Sequence, residues 1–261
     1  MALSKADMKY LVSLQTKKGR AREGRFLAEG VRLLEAALAA RCLPRVVFYA
    51  PSELASRGEE LIRDFGRQGV LTTTVSAREC NRLGEAETSQ GMVAVFDTPQ
   101  AGLDDALARK HQRVLLCDRI ADPGNLGTLI RTAAAFGFGL VLTTAGSAEA
   151  FGPKTIRATM GAIFTTTIIG GVDPAEAIGW LKKSSYTMYN ADINGRPLTP
   201  RMTIADRPAL IVGSEAFGVG GTVREAADFQ VRVPMADNTE SLNAAVAGAI
   251  LMFWLSSSER N

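Results

Sequence analysis

An α/β protein of two domains is what this sequence predicts, and three observations predict it. Short Val-, Ile- and Leu-rich runs alternate with amphipathic stretches along nearly the whole chain, which favours an α/β sandwich on its own small sheet in the first half and a mostly parallel sheet covered by helices on both faces in the second. The pattern breaks once, where Asp97-Thr-Pro-Gln-Ala-Gly-Leu to Gln112 turns polar. Residues about 98–112 therefore read as a connector between a domain over 1–105 and a second over 106–261. Finally, 261 residues with 46% hydrophobic and 22% charged content are enough for two cores.

In the first domain, Arg25 to Glu29 reads as a strand running into a helix over Val31 to Ala40, whose Leu33, Leu34 and Ala37 share one face. Strand Arg45 to Tyr49, helix Ser52 to Arg67, strand Val70 to Val75, helix Ala77 to Leu83 and strand Met92 to Phe96 follow. The second domain alternates again. Strand Val114 to Cys117, helix Leu126 to Phe136, strand Leu140 to Thr143, helix Lys154 to Ile163 and a short strand near Thr166 come first. Helix Ala175 to Lys182, strands Thr187 to Ala191 and Ala209 to Val212, helix Thr222 to Ala227 and strand Gln230 to Val233 complete it.

The closing stretch, Val231 to Trp254, is a strand, a polar loop and a helix rich in small residues. Asp237, Asn238, Thr239 and Glu240 offer N-caps and an acidic first turn, so the helix is expected to begin near residue 240. Ala244, Ala245, Ala247, Gly248 and Ala249 allow other backbone to approach closely, while Leu242, Val246, Ile250 and Trp254 recur at helical spacing and ask for a core. Ser241 and Asn243 at its start suit either capping or the binding of a polar ligand.

Composition excludes several functions. The apolar run Ala244 to Leu255 is shorter than the roughly 18 residues of a membrane span, and Met1 to Tyr10 has no signal-peptide core; a cytoplasmic protein with no membrane partner is expected. Cys42, Cys80 and Cys117 are odd in number and widely spaced, and His111 is the only histidine, which fits neither a metal site nor a disulfide framework. No Gly-x-Ser-x-Gly elbow occurs. The net charge of +3 is unevenly spread: Met1 to Arg25 holds seven basic residues against Asp7 and Glu23, a local +5, so the remainder is −2. Lys17, Lys18, Arg20, Arg22 and Arg25 suit a phosphate backbone, or equally a solvated surface loop.

Ligands of parallel sheets sit beyond the carboxyl ends of the strands, where three loops stand out: Asp118 to Gly127, Gly213 to Gly221 and Pro234 to Glu240. The glycine-rich one lacks both Gly-x-Gly-x-x-Gly and a Walker lysine, and suits a neutral heterocycle such as adenine better than a phosphate. Asp122-Pro-Gly-Asn125 is a turn, and Arg131 follows on the next helix, placed to approach the same pocket as Asn125 or to serve as a surface ion-pair partner.

Asp122-Pro-Gly-Asn-Leu-Gly-Thr-Leu-Ile-Arg-Thr-Ala-Ala-Ala-Phe-Gly137, Leu210-Ile-Val-Gly-Ser-Glu-Ala-Phe-Gly218 and Val233-Pro-Met-Ala-Asp-Asn-Thr-Glu-Ser-Leu-Asn243 resemble, in order, the three motifs of the SpoU (TrmH) family of RNA ribose 2′-O-methyltransferases, within the SPOUT superfamily. Gly24 to Gly30 and Ser89 to Val95 are similar to that family's L30e-like substrate-binding domain. The resemblance implies an N-terminal L30e-like α/β domain and a C-terminal α/β-knot domain with a trefoil knot, which binds S-adenosylmethionine and no metal. It implies a homodimer with active sites near the subunit interface. Asn125, Arg131, Glu215, Ser241 and Asn243 would be the catalytic set, with Gly213, Val233, Met235 and Leu242 around the methyl donor. Phe151-Gly-Pro-Lys154 departs from the Ser-Pro segment common in relatives. Structured RNA is the implied substrate, 23S ribosomal RNA first; the alternatives are transfer RNA or a non-catalytic RNA-binding protein on the same fold.

Overall fold

A computed structural model of the protein describes residues 3–84, 90–108, 111–199, 203–215, 217–236 and 241–256. The chain forms two compact units, one of residues 1–100 with 151–164 and one of 101–150 with 165–261.

The first unit runs α1 (Lys5–Ser13), α2 (Lys17–Glu23), β1 (Arg25–Glu29), α3 (Val31–Ala39), β2 (Val46–Tyr49), α4 (Ser56–Arg67), β3 (Leu71–Thr74), α5 (Ala77–Leu83) and β4 (Met92–Asp97). Its four strands lie in the order β1-β4-β2-β3, antiparallel except for the parallel β2–β3 pair. Leu33, Leu34 and Ala37 are buried on α3, as the spacing predicts. One side of the sheet packs Leu27, Phe48, Val93 and Val95 against Met8 and Leu11 of α1.

The basic segment is not a loop. Thr16 caps α2 through Gly19 N (3.0 Å), and Gly24 closes it in the left-handed conformation, φ 61°. A Cβ at Gly19 would lie 1.9 Å from the Ser13 carbonyl oxygen, so only glycine lets α2 start against the end of α1.

The second unit contains α6 (Leu103–Ala108), β5 (Val114–Asp118), α7 (Pro123–Ala135) and β6 (Leu140–Thr144). After the excursion containing α8 (Pro153–Thr159) it resumes with β7 (Thr167–Val172), α9 (Pro174–Lys183), β8 (Thr187–Pro197), β9 (Pro208–Gly213), α10 (Gly221–Ala226), β10 (Phe229–Arg232) and α11 (Ala244–Leu255). Residues 151–164, read from sequence as part of the C-terminal domain, group with the first unit instead. Aromatic packing accounts for this: Phe151 lies 5.1 Å from Phe26 and Phe164 4.9 Å from Phe96, around the stacked Phe26–Phe96 pair. Phe151, which opens the Phe151 to Lys154 segment, is thus part of that aromatic cluster.

All six strands of the second unit are parallel, in the order β10-β8-β9-β5-β6-β7. Strands β5 and β6 are buried at every position, which is why Val114 to Cys117 and Leu140 to Leu142 are continuous apolar runs. Val114, Leu116, Leu140, Leu142 and Ile211 pack on one face with Ala177, Ile178 and Leu181 of α9; each Val, Leu or Ile among them contributes about 1.5–3 kcal/mol on burial. Helices α7 and α11 pack together, and α11 also meets β9.

Helix α11 differs from expectation in start and face. It begins at Ala244, capped by Asn243, while Asp237 to Glu240 lie outside the described residues. Its buried side is Ala245, Gly248, Leu251, Met252 and Leu255, not the expected Leu242, Val246, Ile250 and Trp254 stripe; Val246 is 47% and Phe253 44% exposed. Close approach selects the small face: a Cβ on Gly248 would lie 2.5 Å from Leu129 Cδ2.

Candidate functional site

Three loops at the carboxyl edge of the parallel sheet converge on one carboxylate. Asp122 caps α7, its Oδ1 accepting from Asn125 N at 2.7 Å with Pro123 in the first turn, and this turn sets Asn125 at the helix mouth. Beyond β9, Gly213 begins a loop closed by the Gly218 N to Ser214 O bond (2.8 Å), which presents Glu215. Asn243 comes from the cap of α11.

The hydrogen bonds among them form a closed triangle. Oε1 of Glu215 accepts from Asn125 Nδ2 and Asn243 Nδ2, both at 2.8 Å, and from Ala244 N at 3.3 Å. Asn243 Nδ2 also donates to Asn125 Oδ1 at 3.0 Å. Because Asn243 Oδ1 accepts from Ala245 N (3.0 Å) and Val246 N (3.3 Å), its amide orientation is fixed. Both N–H bonds of Asn243 Nδ2 are thereby used. One N–H of Asn125 and Oε2 of Glu215 have no partner among the described residues, a donor and an acceptor side by side suited to a ribose hydroxyl.

Gly213, Val233, Met235 and Leu242, the expected donor-binding residues, line one cavity of about 370 Å³ together with Ser241, Glu215 and Ala244. That volume falls in the ordinary range for a small-molecule site. Its walls include Ile193, Val231 and Leu251, with an Arg224–Asp192 ion pair (3.4 Å) at its edge. Apolar walls beside the polar side chains of Asp192, Asn194, Ser214, Glu215 and Ser241 fit S-adenosylmethionine, an adenosine carrying a charged sulfonium. At Gly213 a Cβ would stand 2.3 Å from Gly218 C and 2.4 Å from Val219 N, so the cavity requires glycine there.

Arg131 is not brought to this cluster within the chain. It is exposed on α7, and six residues past Asn125 place it roughly 120° around the helix; it lines neither the donor cavity nor the one beside it. Among the basic residues, Lys17, Lys18 and Arg22 are exposed. Arg20 is buried, its Nη1 donating to Leu14 O (2.8 Å) and Gln15 O (2.7 Å). Arg25 donates to Tyr10 Oη and to Asp97.

Sequence reasoning missed Asp118. Only 1% exposed at the end of β5, it accepts from Thr144 Oγ1 and Gly220 N, each at 2.8 Å, tying β5, β6 and the glycine-rich loop together. The signal was a carboxylate closing an otherwise apolar strand.

A six-stranded parallel sheet with a nucleoside-sized cavity and an amide–carboxylate cluster at its carboxyl edge defines a methyltransferase of the SPOUT class. The sequence profile of the SpoU rRNA Methylase family matches residues 112–253, and that of the MRM3-like substrate binding domain residues 5–94. The protein belongs to the SpoU rRNA methylase family. It is 37% identical over 243 residues, 93% of this chain and 92% of the other, to the 23S rRNA (guanosine(2553)-2′-O)-methyltransferase RlmP of Bacillus subtilis. It is 27% identical over 246 residues (92% and 85%) to the 23S rRNA (uridine(2479)-2′-O)-methyltransferase of Streptomyces viridochromogenes. The SpoU methyltransferase AviRb of the latter organism, solved in complex with the cofactor AdoMet, superposes with a TM-score of 0.86 at 26% identity, covering 99% of both chains.

Proposed function

We propose that the protein transfers the methyl group of S-adenosylmethionine to a ribose 2′-hydroxyl of 23S ribosomal RNA in the cytoplasm. The observation that carries this reading is the Asn125–Glu215–Asn243 triangle, whose Glu215 also lines the donor cavity. S-adenosylmethionine, held by Gly213, Val233, Met235 and Leu242, supplies a methyl group already activated by its sulfonium. The chain's task is then to hold the 2′-oxygen in line and remove its proton, and positioning of this kind supplies about 7–11 kcal/mol. Asn125 and Glu215 orient the ribose through their unpaired N–H and Oε2. Ser241, on the wall of the donor cavity, or water relays the proton out to solvent, and Glu215 acts by orienting the two amides.

The role of Arg131 is to hold a phosphate and stabilise the developing alkoxide. Its distance from the triangle fits a homodimer in which it serves a site at the subunit interface. Val246 and Phe253, seven residues apart and hence on one side of α11, expose the apolar surface such a dimer would cover. The strand order is consistent with the trefoil knot of the family. Lys17, Lys18 and Arg22 are the basic residues of this set best exposed to follow the RNA backbone.

Methyl transfer from labelled S-adenosylmethionine to total RNA of a strain lacking the protein tests the proposal. Label at one 23S ribose, absent with Arg131→Ala, is the expected result. Label confined to transfer RNA, or none in any RNA despite donor binding, overturns it.

A further inference from the structure

A second cavity, of about 440 Å³, lies beside the donor cavity, and Ser214, Glu215, Phe217 and Ala244 line both. Two of its lining residues keep side-chain capacity that their contacts within the chain leave open. Phe217 is 80% exposed, its backbone N–H held by Ser214 Oγ at 3.2 Å. An aromatic ring left almost wholly in water beside a reaction centre is a surface waiting for a flat partner. Arg119 adopts φ 55°, a left-handed conformation uncommon outside glycine, and Thr144 Oγ1 fixes it by accepting its N–H at 3.0 Å. Its guanidinium contacts Gly218 O and Asp118 Oδ2 only at 3.5 Å and remains 42% exposed. Asp118 already accepts two bonds of 2.8 Å from Thr144 and Gly220, so it leaves most of the five Arg119 donors unused.

Asn125 and Glu215 line this same cavity, with the N–H and Oε2 that the triangle leaves open. A donor and an acceptor suited to a ribose, a cation and an exposed aromatic ring around one space match the three parts of a nucleotide. We propose that the second cavity seats the acceptor nucleotide of the RNA, with Arg119 binding a phosphate adjoining the target ribose and Phe217 stacking on a base. The inference rests on the methyltransfer reading above and names substrate-binding residues that the sequence motifs left without a role. Arg119 then acts from the same chain as Glu215, whereas Arg131 does not reach it.

The test compares wild type, Arg119→Gln and Phe217→Ala in the full chain, with labelled S-adenosylmethionine and deproteinised total RNA from a strain lacking the protein. Donor affinity and thermal unfolding are measured alongside. For both variants the expected result is an RNA KM raised on the order of 10- to 100-fold, with donor Kd within about twofold and an unchanged Tm. Arg119→Gln alone should lower the slope of log(kcat/KM) against log salt by about one, the mark of one phosphate contact. A lowered Tm with an unaltered salt slope would make Arg119 merely the counter-charge of Asp118 and overturn its assignment. Weakened donor binding with a normal RNA KM for Phe217→Ala would assign that ring to the donor instead. Label in an RNA other than 23S refutes the substrate named above yet leaves both comparisons readable on that RNA; no label in any RNA refutes both proposals.

Discussion

Replacing Glu215 separates an orienting carboxylate from a catalytic base. Its Oε1 carries two bonds of 2.8 Å and one of 3.3 Å, to Asn125, Asn243 and Ala244. A hydrogen bond to a charged group contributes about 1.5–3 kcal/mol when sheltered and nearer 1 kcal/mol at an exposed position such as this. Glu215→Ala should therefore cost roughly 2 kcal/mol, the long third bond adding little, and lower Tm by roughly 4–8 °C in a chain of this size. Glu215→Gln keeps an acceptor oxygen in place and should cost about half as much. Under the orienting role, single-turnover methyl transfer by Glu215→Gln stays within about tenfold of wild type, whereas loss of a general base costs about 10²–10⁴-fold. Calorimetry, donor binding and single-turnover rates on both variants provide the assay. A Glu215→Gln rate down by about a hundredfold or more, with Tm and donor Kd near normal, would refute the orienting role.

Gly213→Ala places a methyl group against the Gly218–Val219 backbone, which has no rotamer with which to yield; donor affinity by calorimetry should fall at least about tenfold, and near-normal affinity would show the loop to be adaptable. Arg20→Met strands the Leu14 and Gln15 carbonyls and should cost about 2–4 kcal/mol, whereas the Lys17→Ala, Lys18→Ala pair should leave Tm unchanged and weaken RNA binding in a salt-dependent way; urea titration and filter binding distinguish the two. Burial pushes the Cys117 thiol well above its usual range and raises Cys42 as well, so a native-state thiol assay near about pH 8 should leave Cys117 unmodified, and rapid labelling would contradict its burial. Asp97 is held below the usual carboxylate range first by Arg45 and then by Arg25, against an opposing desolvation. A depressed carboxylate contributes stability that is full above about pH 4 and lost as pH falls through its folded value; Asp97→Asn should shallow the acid limb of the Tm profile, and an unchanged limb would show the ion pairs to be inert.

Most elements were legible because burial writes its period into the chain. Strands β5 and β6 are buried throughout and open as apolar runs, Val114 to Cys117 and Leu140 to Leu142, and α3 carries its core residues on one face. Helix α2 was hidden because its signal lies in Thr16 and Gly24, the caps, and not in an apolar stripe. The inward face of α11 was misjudged for a related reason: side-chain size normally marks the buried face, but where Gly248 lets α11 meet Leu129 and Val212 the small residues turn in and Val246 and Phe253 turn out. Of the expected catalytic set, Asn125, Glu215 and Asn243 are bonded together and Ser241 lies on the adjoining wall. Arg131 stands apart because spacing along a helix does not report which subunit or loop lies opposite it. Phe151 carried no readable sign of its destination, since its partner Phe26 is far away in sequence.

The Glu215 carboxylate is also an assembly check. Its partners come from residues 125 and 243, separated by 118 positions, and Glu215 itself lies between them. No fragment ending before Asn243 can close the triangle, whatever else in it has folded. A nascent chain therefore completes the triangle only after its last helix has emerged and docked on α7. On the role proposed above for the triangle, modification of RNA would have to wait until the C-terminal segment had reached its place.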